Sequence, residues 1–191
     1  MDSANQTSQP YALVVMGVSG CGKSSVAQQL GESLGWKVCE GDAYHPAANI
    51  QKMQAGIALT DTDRQGWLQD LAALLAQATP QSGMVLTCSA LKRSYRDVLR
   101  SALPDGAVGF VFLDLSFDTA LERVQSRQGH FFSANLVANQ FATLERPDAE
   151  PGVITVDAAL PLEAIVRAVM ASIATAAASL TSTPSLRKLA P

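Results

Sequence analysis

A single eight-residue segment, 17–24, restricts the folds open to this chain more than any other feature. It reads GVSGCGKS and matches the pattern G-x-x-x-x-G-K-[ST] at every specified position. A short β-branched run over 12–16 precedes it, and apolar residues at helical spacing follow over 24–34. Glycines in a turn between a strand and a helix let backbone amides surround an anion, with the helix N-terminus behind them. The segment therefore predicts a phosphate-binding loop that joins a first strand to a first helix.

Short apolar runs alternate with helical patterns through the rest of the chain. We predict strands over 12–16, 36–40, 84–88, 109–113 and 153–156, and helices over 24–34 and 162–176. A further helix is predicted after 60–63, where the sequence TDTD resembles a capping box. Strands this short and continuously apolar are typical of a parallel sheet covered on both faces. The pattern predicts an α/β fold with right-handed crossovers, whose ligands bind at the carboxyl ends of the strands.

Composition is consistent with one domain and argues against several other classes of protein. The 191 residues are 48% hydrophobic, and we predict one domain over 10–178 between polar tails at 1–9 and 179–191. The net charge of −3 argues against broad nucleic-acid binding, and no apolar run reaches the ~18 residues of a membrane span. The N-terminus lacks the layout of a signal peptide, and the three cysteines are too scattered for a metal site. We therefore expect a cytoplasmic protein with reduced thiols, no nucleic-acid partner and no membrane partner.

The loop residues carry the most specific chemical prediction. Lys23 is expected to reach the β- and γ-phosphates of a nucleoside triphosphate, and the Ser24 hydroxyl is expected to bind Mg²⁺. Cys21 is interpreted as a tolerated small residue rather than a reactive thiol. The residues predicted to bind the nucleoside triphosphate through this loop are Gly17, Val18, Ser19, Gly20, Cys21, Gly22, Lys23, Ser24 and Ser25.

A second segment, EGDAYHP at 40–46, follows the second predicted strand. Glu40 and Asp42 point to the same face, because side chains alternate along a strand. One acid is suited to hold Mg²⁺ through water, and the other is suited to orient or deprotonate an acceptor hydroxyl. The pattern alone also allows two solvated loop acids, and it leaves His45 open as either a substrate contact or a surface histidine.

Two basic segments lie farther along the chain. The run CSALKRSYR at 88–96 brings Lys92 and Arg96 to the end of the third strand, where they suit an anionic substrate. Arg123 and Arg127 are four residues apart and share a helix face, and a helix break precedes His130. This second segment suits a lid, over about 127–143, that closes on phosphates and excludes water. An ordinary basic helix start and a solvated basic face are the respective alternatives.

Four segments, taken together, resemble the gluconokinase family of small P-loop kinases, which is related to shikimate and nucleoside monophosphate kinases. They read MGVSGCGKSSVA, EGDAYHPAANIQKMQAGIALTDTDRQGWLQDL, CSALKRSYRDVLR and GHFFSANLVANQFATLERP, in family order over 16–147. The loop motif is generic, whereas the HP-x-x-NI-x-KM-x-x-G segment with CSALK and GHFF is specific. The resemblance covers nearly the whole chain apart from the tails. The sequence departs from the usual pattern at Glu40, where many relatives carry Asp.

The resemblance implies phosphorylation of the small molecule D-gluconate at its 6-hydroxyl, with ATP and Mg²⁺, by a homodimer. It also implies a three-layer P-loop kinase fold with a five-stranded parallel sheet in the order 2-3-1-4-5 and a helical lid. Lys23, Asp42 and Arg127 become the catalytic residues, while Ser24 and, through water, Glu40 become the metal site. The ATP-binding set gains Arg123 and Arg127, and the substrate-binding set is Asp42, His45, Arg64, Lys92, Arg96 and His130.

One substrate contact that the resemblance implies concerns the acceptor's charge. Arg64 resembles the acceptor-binding arginine of shikimate kinases, so we expect it to pair with the gluconate carboxylate. Residues 157–160 are expected near the adenine ring.

Two rival hypotheses stay open on the sequence alone. One is another small-molecule kinase, for shikimate or a nucleotide, and the other is a nucleotide-dependent switch protein. The sequence contains no N-K-x-D guanine signature, and its second motif is rich in polar groups suited to a small acceptor. Acceptor-stimulated release of ADP separates these hypotheses.

Overall fold

The structure is a computed structural model that describes residues 9–126 and 134–181, apart from the side chains of 177–181. Strands and helices alternate along the chain. The strands are β1 (Ala12–Met16), β2 (Lys37–Glu40), β3 (Met84–Thr87), β4 (Val108–Asp114) and β5 (Val153–Asp157). The helices are α1 (Lys23–Leu34), α2 (Ala47–Gln54), α3 (Asp61–Leu75), α4 (Arg93–Arg100), α5 (Phe117–Gln125), α6 (Ala134–Thr143) and α7 (Leu162–Thr181). A 3-10 turn over Gly41–Tyr44 separates β2 from α2.

The five strands form one parallel sheet in the order β2-β3-β1-β4-β5. This confirms the predicted α/β fold and strand order. Because all strands run the same way, the loops after β1, β2 and β3 leave the sheet at one edge. The phosphate-binding loop, the EGDAYHP segment and the CSALK segment are therefore neighbours in space although they are distant in sequence.

The sheet is covered on both faces, which explains its continuously apolar strands. In β1, Leu13 and Val15 face the layer of α1 and α7, while Val14 faces the layer of α3 and α4. Trp67 and Leu71 of α3 are almost completely buried on that second face. Residue alternation along β1 thus builds two cores from one strand, as expected for a central parallel strand.

The observed boundaries differ from the predicted ones by a few residues. β4 and β5 each extend to an aspartate, Asp114 and Asp157, because strand pairing continues past the last apolar residue. α3 begins at the predicted capping box, in which Thr60 accepts from the Asp63 amide and Asp63 accepts from the Thr60 amide. α7 continues to Thr181, three residues into the segment predicted as a tail.

None of the helices within 9–126 and 134–181 is long and apolar enough to cross a membrane.

Candidate functional site

Three glycines give the loop after β1 its shape. Gly17, Gly20 and Gly22 have φ angles of 139°, 86° and 92°, a region that L side chains rarely adopt. A Cβ on Gly17 would lie 2.9 Å from the Leu113 carbonyl oxygen. A Cβ on Gly22 would meet no atom within 4 Å, so this position requires glycine for its backbone angle alone. The loop therefore presents bare backbone toward the edge of the sheet.

The amides of this loop are free to bind an anion. Within the part of the chain that the structure describes, the amides of Gly20, Gly22, Lys23 and Ser24 donate to no acceptor. Lys23 begins α1, so the positive end of the helix dipole lies behind these amides. A cluster of unpaired amides at a helix N-terminus fits a phosphate group.

Lys23 supplies the positive side chain of the loop. Its Nζ donates to the carbonyl oxygens of Gly17 and Val18, at 3.1 and 3.0 Å. These bonds fold the ammonium group back over the loop, with its stem half-buried. A charged donor held against the loop is placed to bind the same anion as the amides.

The segment after β2 is held firmly against β3. A Cβ on Gly41 would lie 2.1 Å from the Thr87 carbonyl oxygen, so only glycine allows this approach. The Thr87 hydroxyl accepts from the Gly41 amide at 3.2 Å and donates to Glu40 Oε2 at 2.6 Å. Trp67 Nε1 donates to the Gly41 carbonyl at 2.9 Å. These bonds fix the backbone immediately before Asp42, whose own side chain is 78% exposed.

Two adjoining clefts open at this edge of the sheet. The loop cleft contains the phosphate-binding loop, and the arginine cleft contains Arg64. Ser19, Lys23 and Asp42 line both clefts, so the two meet at these residues. The loop cleft is also lined by Gly20, Gly22, Ser24, Ser25, Glu40, Thr87 and Val124. The arginine cleft is also lined by His45, Met53, Ala58, Leu59, Arg64, Ser89, Leu91, Leu136, Asn139, Gln140 and Thr143.

Arg64 lines the arginine cleft, and its side chain forms no ion pair with any residue that the structure describes. Its Nε is buried without a hydrogen-bond partner among the described residues, and its guanidinium lies 5.8 Å from the centre of the Tyr95 ring. The neighbouring Asp63 ties the start of α3 to α2, because it accepts from Lys52 Nζ at 2.7 Å. That bond, with two from Thr60, lowers the pKa of Asp63 to about 2. The contacts of Asp63 thus fix the backbone at the start of α3, to which Arg64 belongs, and they leave the guanidinium N–H groups of Arg64 available to an anion.

Lys92 lies beside the arginine cleft but does not line it. Its Nζ is bound by both carboxylate oxygens of Asp61 at 2.8 Å, and Tyr95 also donates to Asp61. Lys92 and then Tyr95 hold the pKa of Asp61 below its ordinary value. The predicted substrate contact of Lys92 stays a prediction, and in this structure its ammonium group is paired with α3.

The structure corrects the predicted substrate contact of Arg96. This side chain is completely buried, and its guanidinium donates to the carbonyls of Ala90, Leu91 and Glu145. It also forms two bonds to the Glu150 carboxylate, at 3.0 and 2.5 Å. All its donor groups are engaged, so Arg96 ties α4 to the segment between α6 and β5 rather than binding a ligand. Helical spacing alone did not reveal that Arg96 points into the protein.

We expect Arg96→Met to destabilise the fold and Arg93→Met, the matched control on the exposed side of α4, to leave it nearly unchanged. Removing one partner of a buried ion pair costs about 3–5 kcal/mol, whereas an exposed pair is worth at most about 1 kcal/mol. The free energy of unfolding in urea measures both changes. Equal stabilities for the two variants would contradict the structural role of Arg96.

The pH dependence of the same pair has a defined sign. Arg96, with Arg100, holds the pKa of Glu150 below its ordinary value of 4.5. The pair therefore contributes its full stability above pH 4.5 and loses it as the pH falls through the lower pKa of the folded state. The stability difference between the wild type and Glu150→Gln should shrink on acidification below 4.5.

The helix α5 reaches the other side of the loop. Arg123 Nη1 donates to the Ala158 carbonyl at 3.0 Å and to the Gly20 carbonyl at 3.5 Å. Arg123 thus joins the phosphate-binding loop to the turn after β5, where the adenine ring is expected. Arg127 and His130 were predicted as ATP and substrate contacts, and both lie outside the described residues, as does the first part of the predicted lid.

The structure adds residues that the sequence patterns missed. Gln140 of α6 accepts from the Ser19 amide at 2.6 Å and lines the arginine cleft together with Asn139. A glutamine amide in an apolar helix pattern has no motif that distinguishes it from a surface residue. Asp114 resembles the end of a Walker B strand, but it pairs with Arg146 at 2.8 Å and lies outside both clefts.

The loop cleft contains oxygen ligands of the kind that Mg²⁺ prefers. The Ser24 hydroxyl and the Glu40 carboxylate both line it. No cluster of three histidine, cysteine or acidic side chains suited to a metal occurs within 9–126 and 134–181. One hydroxyl and one carboxylate fit a magnesium ion that takes its other ligands from phosphates and water.

Comparisons with known proteins agree with this geometry. A family model described as an AAA domain matches residues 13–147. A gluconokinase of Gluconobacter oxydans (strain 621H) is 50% identical over 149 residues, which is 78% of this chain and 83% of that protein. The thermoresistant gluconokinase of Escherichia coli (strain K12) is 42% identical over 169 residues, which is 87% of this chain and 94% of that protein.

Solved structures show the same relationship. The crystal structure of a gluconokinase from Sinorhizobium meliloti 1021 matches with a TM-score of 0.82 at 47% identity, covering 91% of this chain and 97% of that chain. Shikimate kinase from Aquifex aeolicus vf5 matches with a TM-score of 0.57 at 18% identity, covering 87% of this chain and 98% of that chain. The second match supports the fold alone.

Proposed function

This chain belongs to the gluconokinase family, and we propose that it transfers the γ-phosphoryl group of ATP to the 6-hydroxyl of D-gluconate. The observation that carries the proposal is the meeting of the two clefts at Ser19, Lys23 and Asp42. A phosphate site on one side of these residues and a cleft with mixed polar and apolar lining on the other would bring the phosphoryl donor and the acceptor next to each other. Transfer between two bound substrates gains most from such positioning.

The residues of the loop cleft bind and neutralise the phosphates. The free amides of Gly20, Gly22 and Lys23 donate to phosphate oxygens, and Lys23 Nζ stabilises the charge that develops during transfer. Ser24, with Glu40 acting through water, would hold Mg²⁺. An ion held there would supply positive charge that offsets the negative charge of the phosphates. Arg123 and Arg127 stay predicted ATP contacts, and Arg127 a predicted catalytic residue.

Asp42 acts on the acceptor. Its carboxylate lies where the clefts meet and is free of hydrogen bonds to other described side chains. It is placed to accept the hydrogen of the 6-hydroxyl and to orient the oxygen for in-line attack.

Arg64 supplies the complementary charge for the other end of the acceptor. Gluconate carries one carboxylate, at the end of the molecule opposite the 6-hydroxyl. The Arg64 guanidinium, which pairs with no described carboxylate and lines the same cleft as Asp42, suits that carboxylate because its planar fork binds both oxygens. His45 and Asn139 are polar residues in the lining of this cleft, and they are suited to contact the other hydroxyl groups of gluconate.

We expect Arg64→Gln to raise the KM for gluconate about 10- to 100-fold while the KM for ATP stays the same. A hydrogen bond to a charged group contributes about 1.5–3 kcal/mol, which corresponds to that range. Steady-state kinetics with a neutral polyol of the same length provides the control, since Arg64 should not help it to bind. An equal effect on both acceptors would contradict the carboxylate contact.

The remaining parts of the proposal concern location and assembly. We place the enzyme in the cytoplasm, because Cys21, Cys39 and Cys88 are free, buried thiols. Burial raises the pKa of Cys88 to about 12, so this thiol stays protonated beside the clefts. We propose a homodimer from the family resemblance, and sedimentation at several concentrations tests it.

A panel of acceptors tests the proposed function. ADP release is measured with ATP and Mg²⁺ in the presence of gluconate, shikimate or a nucleoside monophosphate. We expect gluconate alone to stimulate release. Stimulation by shikimate or a nucleotide instead would favour the other kinase hypothesis, and ATP binding without any stimulation would favour a switch protein.

A further inference from the structure

We propose that His45 is a positioning residue for Asp42: Asn49 holds its ring as the Nε2–H tautomer, and that N–H selects one orientation of the carboxylate. This inference rests on the proposed function only in taking Asp42 as the carboxylate that acts on the acceptor.

The ring of His45 is fixed in place from beneath. His45 is 8% exposed and stacks on Trp67, with the ring centres 4.1 Å apart and the planes 18° from parallel. Trp67 is buried and is itself held by its bond to the Gly41 carbonyl. One tryptophan thus supports the histidine ring and also anchors the backbone next to Asp42. The position of the His45 ring and the position of the backbone before Asp42 therefore both depend on Trp67.

Asn49 determines which ring nitrogen carries the proton. Its Nδ2 donates to the Asp63 carbonyl at 2.8 Å, which identifies this atom as the amide nitrogen. The same Nδ2 lies 3.4 Å from His45 Nδ1. Facing a donor, Nδ1 serves as the acceptor, so the proton of the neutral ring lies on Nε2. Burial is the main cause that lowers the pKa of His45, and nearby Arg64 adds to it while Asp42 opposes it.

The Nε2 atom of His45 lies near the carboxylate of Asp42. Nε2 lies 3.9 Å from Asp42 Oδ1, which is longer than a hydrogen bond. The proposed bond requires the exposed side chain of Asp42 to rotate toward Nε2, and hydrogen bonds at reacting groups commonly tighten when substrates bind. A bond from Nε2 to one oxygen leaves the other oxygen for the acceptor hydroxyl. The fixed ring therefore restricts a side chain that would otherwise sample several orientations.

Nitrogen-15 NMR of histidine-labelled protein tests the tautomer without any substrate. The chain has two histidines, so the variant His130→Gln identifies the signals of His45. We expect a neutral ring at pH 7.5 with its proton on Nε2. A proton on Nδ1, or a doubly protonated ring at that pH, would overturn the inference, whatever the enzyme phosphorylates.

Kinetics test the consequence for turnover. A misplaced reacting group costs up to about 100-fold, so we expect His45→Ala to lower kcat about 10- to 100-fold with an unchanged KM for ATP. Glutamine places an amide N–H near the position of Nε2, so His45→Gln should recover most of that loss. Equal losses in the two variants, or a higher acceptor KM with an unchanged kcat, would overturn the positioning role.

Two controls separate this inference from the proposed function. Thermal unfolding and the near-UV circular-dichroism spectrum, to which Trp36 and Trp67 both contribute, show whether each variant keeps the fold. For a variant that loses the fold, the NMR result on the wild type decides. If the acceptor panel identifies another substrate, the same kinetics are measured with that substrate. The gluconate assignment would then fail while the role of His45 is still tested.

Discussion

Lys23→Ala should lower turnover about 1000-fold or more while the protein stays folded. Removing one preorganised donor to a developing charge costs about 100- to 1000-fold, and this donor also carries a full charge. In the structure the Lys23 ammonium is bound by two carbonyls of its own loop, so no distant element depends on it. Steady-state ADP release measures the loss, and thermal unfolding checks the fold.

Lys37→Ala provides the matched control for this change. Lys37 is an exposed lysine on β2 and lines neither cleft, so its removal should leave turnover within about twofold. Turnover of Lys23→Ala within tenfold of the wild type would mean that the loop does not stabilise the transferred group.

Asp42→Asn should lower kcat about 100- to 10,000-fold, with small changes in the KM of either substrate. This range is typical of a general base, and asparagine keeps the shape of the side chain while it loses the charge and the basicity. Because the Asp42 side chain is 78% exposed, the substitution should not disturb packing.

The control for Asp42 is Asp70→Asn on the exposed side of α3, outside both clefts. It removes the same charge from the chain without touching the site. If Asp42→Asn kept near-normal turnover, the carboxylate would have no catalytic role. His45 would then have no catalytic carboxylate to position.

Much of the fold was predictable because strand and helix patterns repeat along the chain. The run Ala12–Met16 is buried throughout, and the loop motif after it allows few other structures. The order β2-β3-β1-β4-β5 came from the family resemblance, since periodicity alone does not specify which strands are neighbours. Helix ends were less predictable, because α7 continues into a polar segment that lacks a clear stop signal.

The site was predictable where motifs carry the chemistry and less so where packing decides. The loop residues were predicted to bind the nucleotide, and Asp42 and Arg64 were predicted to bind the acceptor. The structure brings all of them to one edge of the sheet. Arg96 was misassigned because a buried arginine and a ligand-binding arginine look alike in a helix sequence. Only the contacts with Glu150 and three carbonyls distinguish them.

Residues that support the site leave a weaker signal than those that perform its chemistry. Asn49 lies four residues after His45, a spacing that suggests contact, but not which ring nitrogen it meets. Trp67 follows the ordinary apolar spacing of α3, and its bond to the Gly41 carbonyl depends on tertiary packing. Gln140 approaches Ser19 across 121 positions of sequence. Such contacts can be identified only from the three-dimensional structure, in which the helices and the sheet are packed together.

The identity of the reaction product tests the central claim most directly. The protein is incubated with ATP, Mg²⁺ and gluconate, with Lys23→Ala as the blank, and the product is examined by phosphorus-31 and carbon-13 NMR. We predict ADP and one phosphate monoester whose phosphorus couples to the two hydrogens on carbon 6. Phosphate on another carbon, or ADP release with only inorganic phosphate as the second product, would contradict the claim.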